Sequence, residues 1–168
     1  IPSRFARGEA FDIVILADSG LEALITQGKV QPGSRVDLAR SMIGMSVRKG
    51  TPKPDISTVD ALKQTLLNAK SIAYSASASG TYLSTELFQR LGVAEQIKDK
   101  ATKIYSERVG TVVARGDAEI GFQQVSELLP FKELDYVGAL PDEVQQRVFF
   151  SAGVAVGAQN PEAARHLI

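Results

Sequence analysis

Apolar residues recur along the chain with two alternating periods, and the alternation predicts strands interleaved with helices. Phe11-Asp12-Ile13-Val14-Ile15-Leu16-Ala17 is a short apolar run that predicts a strand buried on both faces. Asp18-Ser19-Gly20 then starts a helix through Leu21, Leu24 and Ile25, which stops at Gly28. Val30-Gln31-Pro32-Gly33 reads as a turn, Met42 to Val47 as a strand, and the Pro/Gly/Lys stretch Arg48–Pro54 as a loop. Ser57-Thr58-Val59-Asp60 resembles a capping box with Asp in place of Glu, ahead of a helix whose apolar face is Leu62, Leu66 and Leu67. Ser71–Tyr74 is a strand that opens into Ser75-Ala76-Ser77-Ala78-Ser79-Gly80-Thr81. A long helix follows with Tyr82, Leu83, Leu87, Phe88 and Leu91, ended by Gly92. Further elements are a short helix over Val93–Lys100, a strand at Lys103–Tyr105, a helix from Val109 that stops near Gly116, and a strand at Ala118–Phe122. After these come a short helix at Val125–Leu129, strands at Leu134–Gly138 and Val148–Val156, and a terminal helix opened by Asn160-Pro161-Glu162. Strand then helix, repeated, gives an α/β fold with mainly parallel sheets, and ligands in such sheets sit beyond the carboxyl ends of the strands.

Composition narrows the chemistry. Nineteen basic and nineteen acidic residues balance to no net charge in 168 residues. No basic stripe of the kind nucleic-acid binders carry is present, so no nucleic-acid partner is expected. Cysteine is absent, which removes disulfides, thiol nucleophiles and Cys-ligated metal. His166 is the single histidine and reads as a surface residue of the terminal helix. No apolar run approaches the roughly 20 residues of a membrane helix. No metal site, no cofactor and no catalytic constellation is expected.

The serine-rich segment carries the chemistry. It leaves a strand and enters a helix, where free N–H groups and the positive end of the helix dipole point outward. Small side chains allow close approach, and the hydroxyls of Ser77, Ser79 and Thr81 add neutral donors. The pattern fits an anion site without a formal charge. The same residues also suit a plain cap, with Gly80 making the turn. It is neither a Walker loop nor a dinucleotide fingerprint, because the Lys and the glycine spacing are missing. Arg108 stands between a strand and a helix, where it would pair with a ligand or with a neighbouring glutamate. Gln123 and Gln124 end a strand and can hydrogen-bond a ligand or solvent. Tyr82 is expected to pack in the core.

The order of the segments resembles a known family. The carrying residues are Arg7–Asp18, Ser79-Gly80-Thr81-Tyr82 with Leu91-Gly92, Val113–Phe122, and Asn160-Pro161-Glu162-Ala163-Ala164. Together they look like the periplasmic solute-binding proteins of ABC transporters, in the molybdate-binding (ModA-like) branch. The resemblance implies a two-lobed, hinged type II binding protein, not an enzyme, located in the bacterial periplasm. It would act as a monomer that takes a small anion in a cleft and hands it to a transporter permease. One lobe would comprise residues 1–48 and 136–168, the other 49–135, with Met42–Arg48 and Leu134–Gly138 as hinge strands. Family members begin earlier than Ile1, so the first lobe is expected to lack an N-terminal strand and helix. Carried over, Ser79 takes the family's oxyanion-contacting place at a helix start. The second contact falls at Arg108 and Val109, and Gln124 stands where the family has a contacting tyrosine. Ser77, Ser79, Gly80, Thr81, Arg108, Val109 and Gln124 are therefore the candidate ligand-binding residues. The tyrosine-to-glutamine change admits a carboxylate as well as a molybdate-like oxyanion. Two alternatives share the scaffold: a ligand-sensing domain of a transcription regulator, and an isomerase or hydrolase of anionic substrates.

Overall fold

In the computed structural model, which describes residues 2–168, the chain is mixed α/β and divides into two compact units. Ile1–Ser41 and Val148–Ile168 make one unit, and Met42–Arg147 the other. Ile1, where the first expected lobe begins, lies outside the described residues.

The first unit is built on a three-stranded sheet in the order β1-β8-β2, from β1 (Ile13–Ala17), β2 (Val36–Ser41) and β8 (Val148–Val154). Helices α1 (Pro2–Ala6), α2 (Asp18–Thr26) and α9 (Pro161–Leu167) accompany it. Its core is Val14, Leu21, Leu24, Val30 and Ala155, with Phe5 and Phe11 packed against it. The two residues ahead of α9 are held from a distance. The Asp12 carboxylate accepts from the backbone N–H groups of Gln159 (2.6 Å) and Asn160 (3.0 Å). Those bonds hold the Asp12 pKa below the usual carboxylate range.

The second unit carries a five-stranded sheet in the order β5-β4-β6-β3-β7. Its strands are β3 (Ile43–Arg48), β4 (Ile72–Ser75), β5 (Ala101–Ile104), β6 (Ile120–Gln124) and β7 (Leu134–Ala139). On one face lie α3 (Val59–Asn68) and the run α4 (Ala78–Tyr82), a π-helical turn (Leu83–Leu87) and α5 (Phe88–Arg90). Their side chains Leu62, Leu66, Leu83 and Leu87 bury Ile120, Phe122 and Met45. The short helix α6 (Ala94–Ile97) closes this side through Ile97. On the other face α7 (Val109–Arg115) and α8 (Val125–Leu128) bury Val109, Val112, Val113 and Leu128 against Ala73 and Leu134. The start of β3 is pinned by the Gln145 amide, which accepts from the Ile43 N–H (2.8 Å) and donates to the Ile43 carbonyl (2.9 Å).

Three expectations change. Among the described residues only β4–β5 and β4–β6 pair in parallel; β1 and β2 with β8, and β3 with β6 and β7, are antiparallel. Parallel pairing requires a crossover, which α4–α6 and α7 supply for β4, β5 and β6 alone. The strand β1 is not buried on both faces, because it edges its sheet and Ile15 is 51% exposed. The cap of α3 is Thr58, whose side chain accepts from Ala61 N–H, rather than Ser57 paired with Asp60. The two segments expected to cross between lobes, β3 and β7, pair with each other in an antiparallel arrangement.

Candidate functional site

The carboxyl ends of β4 and β6 bring the candidate residues of the serine segment together. Ser75 ends β4, and Ser77 is the N-cap of α4 with extended backbone. Gly80 sits in the first turn because nothing larger fits: a Cβ there would lie 1.5 Å from the Ser75 carbonyl oxygen. Its role is therefore close approach of helix to strand, and not the turn that the sequence suggests.

A chain of neutral groups runs through this junction. Ser75 Oγ accepts from Ser77 N–H (3.0 Å) and donates to Ser77 Oγ (2.9 Å). The hydroxyls of Ser77 and Ser79 lie 3.2 Å apart. Ser79 Oγ donates to Gln124 Oε1 at 3.0 Å, and Ser77 Oγ reaches the same oxygen at 3.5 Å. Ser79 is fully buried and Gln124 is 8% exposed. The first intrahelical bond, from Thr81 N–H to Ser77 O, leaves the N–H groups of Ala78, Ser79 and Gly80 ahead of it. Those three N–H groups and the Gln124 amide nitrogen have no partner among the described residues. No charged side chain belongs to this cluster. Thr81 is exposed, and its own N–H is spent within the helix.

The remaining candidates occupy the opposite face of β6. Val109 is the first residue of α7, and its N–H donates to Gln123 Oε1 at 3.2 Å. Arg108 is its N-cap, with its Nε 3.4 Å from Glu127 Oε2. That pair is exposed on both sides and contributes little to stability. Arg108 is thus paired with a neighbouring glutamate, one of the two fates open to it in the sequence. The structure joins Ser77, Ser79 and Gln124 in one bonded cluster and places Arg108 and Val109 outside that cluster.

Aromatic groups border the junction. Tyr74 stacks edge-on to Phe88 with ring centroids 5.7 Å apart, and burial, with Tyr105 adding to it, raises the Tyr74 pKa. Tyr82 packs in the core as its position predicts, its hydroxyl donating to the Val144 carbonyl at 2.9 Å. Just beyond α4, Ser84 Oγ donates to Gly80 O (2.9 Å) and Thr85 Oγ1 to Thr81 O (2.8 Å). These bonds draw carbonyls of the site helix aside where the π-helical turn begins. The sequence offers Gln123 a ligand or solvent as partner and misses its bond to the start of α7. Its only signal in the sequence is a polar pair closing an otherwise apolar strand. Among the described residues no three acidic or histidine side chains gather as a metal ion requires, and no helix is long and apolar enough to cross a membrane.

Comparison with known proteins places this geometry. The family described as bacterial extracellular solute-binding protein matches residues 1–168. An aconitate isomerase from Pseudomonas sp. is 50% identical over all 168 residues, and the chain spans 64% of that relative's length. Among solved structures, the substrate-binding domain of a putative molybdenum ABC transporter from Clostridium difficile superposes with a TM-score of 0.76 at 18% identity. That match covers 98% of this chain and 71% of the other. The spermidine/putrescine-binding protein PotD from Streptococcus pneumoniae superposes at 0.72 with 13% identity, covering 99% and 64%. At such identities the likeness is one of fold, the type II periplasmic binding-protein fold.

Proposed function

Because this chain belongs to the bacterial extracellular solute-binding protein family, we propose that its second unit captures a small carboxylate anion at the N-terminus of α4. The supporting observation is the neutral donor cluster. Three main-chain N–H groups without partners, from Ala78 to Gly80, sit beside the Ser77 and Ser79 hydroxyls and the Gln124 amide. Such a set takes up negative charge through the helix dipole and charge-assisted hydrogen bonds, with no cation needed. The 50% identical relative named for aconitate favours a carboxylate over a metal oxyanion. Binding proteins of this kind deliver their ligands to ABC transporter permeases, and on this reading the chain does so from the periplasm without chemical change to the ligand.

The same relative favours a second reading, isomerisation of aconitate. Interconverting its geometric isomers requires a base to take a proton from the methylene carbon. The proton then returns to the far carbon of the resulting allylic anion. The bonded cluster of serines and Gln124 holds no titratable group suited to that step, so this reading needs a base from outside the cluster.

Calorimetric titration with trans-aconitate tests the proposal, with proton NMR of the ligand recorded in D2O on the same sample. Capture predicts heat of binding with an unchanged isomer and no deuterium uptake. Appearance of cis-aconitate with deuterium incorporation replaces capture by isomerisation. Ser79→Pro removes one N–H in the first turn of α4, and Ser79→Ala keeps that N–H. The proline variant is expected to bind about tenfold or more weakly than the alanine variant, as loss of one charge-assisted hydrogen bond implies. Equal affinities would remove α4 from the site.

A further inference from the structure

One edge of the five-stranded sheet is covered and the other is open. We infer that the open edge, β5, takes up an extended segment of a partner protein that carries one basic side chain next to an aromatic or large apolar one. Its occupancy does not depend on an anion at α4.

At the β7 edge the chain covers its own strand. Lys49 N–H donates to the Glu133 carbonyl (2.8 Å), Gly50 N–H to Asp135 Oδ2 (2.9 Å) and Lys53 Nζ to the Tyr136 carbonyl (2.9 Å). Among the described residues β5 has no such cover and pairs with β4 alone. The carbonyls of Lys100 and Ile104 accept from Ile72 N–H (2.8 Å) and Ala76 N–H (2.9 Å) on the β4 side. Alternate residues of a parallel strand bond to the same neighbour, so the N–H and C=O groups of Ala101 and Lys103 face away from β4. Such a row is a template for a further strand.

Hollows on both faces of this edge fit the alternating side chains of that strand. On the α7 face a cavity of about 240 Å³ is lined by Thr102, Ile104 and Val112 with Glu107, Arg115 and Asp117. On the face of α5 and α6 a cavity of about 250 Å³ is lined by Tyr74, Phe88 and Ala101 with Glu95 and Lys98. Ala101 and Thr102 reach opposite hollows, as strand alternation requires, so adjacent residues of an added strand enter one each. Tyr105, next after β5, is 81% exposed and extends the apolar surface at the end of this edge.

Charge decides what each hollow takes. On the α7 face Arg115 is bound by two carboxylates, Glu107 (3.0 and 3.1 Å) and Asp117 (2.7 Å), so one negative charge is in surplus. That side favours a lysine or arginine from the partner. On the other face Glu95 and Lys98 pair at 2.9 Å, and Lys103, the β5 partner of Tyr74, adds a positive charge. That side favours an uncharged ring. Two copies of this chain paired about Lys103 would set like charges opposite one another, which disfavours a second copy as the occupant.

Amide NMR of the full chain, titrated with the peptide acetyl-Thr-Val-Arg-Phe-Val-Thr-amide, tests the assignment. The Ala101 and Lys103 amides are expected to shift together and saturate. The same peptide with Glu in place of Arg is expected to bind about fivefold more weakly, as exposed charge pairs imply, and Glu107→Gln to reduce that difference. Only alternate amides of an added strand face β5. One of the two patterns of alternate N-methylation in the peptide is therefore expected to abolish the shifts while the other leaves them. No saturable shift at Ala101 and Lys103, or equal binding by both methylated peptides, overturns the inference. Equal affinity for the Arg and Glu peptides overturns the basic partner. Shifts of the same two amides with protein concentration, in the absence of peptide, make a second copy the occupant and likewise overturn the partner proposed.

Discussion

A Cβ on Gly80 would meet three backbone atoms of Ser75, so at that point the helix start and the strand end approach main chain to main chain. Gly80→Ala is expected to cost about 2–4 kcal/mol, because backbone cannot swing aside as a side chain can. Urea unfolding measures this, and a cost under about 0.5 kcal/mol would mean that helix and strand are not in such contact. Asp12 gives a residue-scale test by pH. Its backbone partners Asn160 and Gln159 lower its pKa in the folded chain. A lowered folded pKa means stability that is present above the unfolded value of about 3.9 and lost as pH falls through the folded one. Thermal unfolding of Asp12→Asn should therefore differ most from the wild type near neutral pH, and the difference should shrink below about pH 4. A pH-independent difference would remove the carboxylate from the account. Ser79 and Gln124 were legible as polar residues at a strand–helix junction. That Gln123 serves a different helix was not, because strand alternation assigns faces only once the neighbours of the sheet are known.

Elements were legible wherever burial writes a period into the sequence. The strand β2 is the exception, as Val36-Asp37-Leu38-Ala39-Arg40-Ser41 is almost wholly exposed, and its register shifts between Asp37 and Ala39. With no buried face and a bulge, no alternation survives to be read. The π-helical turn was likewise hidden: it begins where the hydroxyls of Ser84 and Thr85 bond carbonyls one turn back, and no apolar period marks it. Strand β3, inside its sheet, contains a polar residue without a partner: Ser46 is fully buried, and its hydroxyl makes no hydrogen bond among the described residues. Ser46→Ala removes that hydroxyl and leaves the volume nearly unchanged. It is expected to be neutral or to stabilise by up to about 1 kcal/mol, whereas a loss of more than that would reveal a partner for the hydroxyl. Thermal or denaturant unfolding decides between the two.

At the scale of the molecule, alternating periods gave the α/β class, while strand direction needed the pairing partners. Strands β1 and β2 both pair with β8, which lies more than a hundred residues later in the chain. Nothing local records such a pairing, and for that reason a mainly parallel arrangement was the wrong extrapolation from strand–helix order. The fold and the family do not decide the ligand, since the structural neighbours include proteins named for molybdenum and for polyamines. The donor set at α4 carries that part of the account. Its most direct test is a two-dimensional amide NMR titration of the chain with trans-aconitate. The account predicts that the Ala78, Ser79 and Gly80 amides and the Gln124 side-chain amide shift together and saturate with one affinity, while the Val109 amide stays in place. Saturable shifts elsewhere, with those four resonances unmoved, would contradict it.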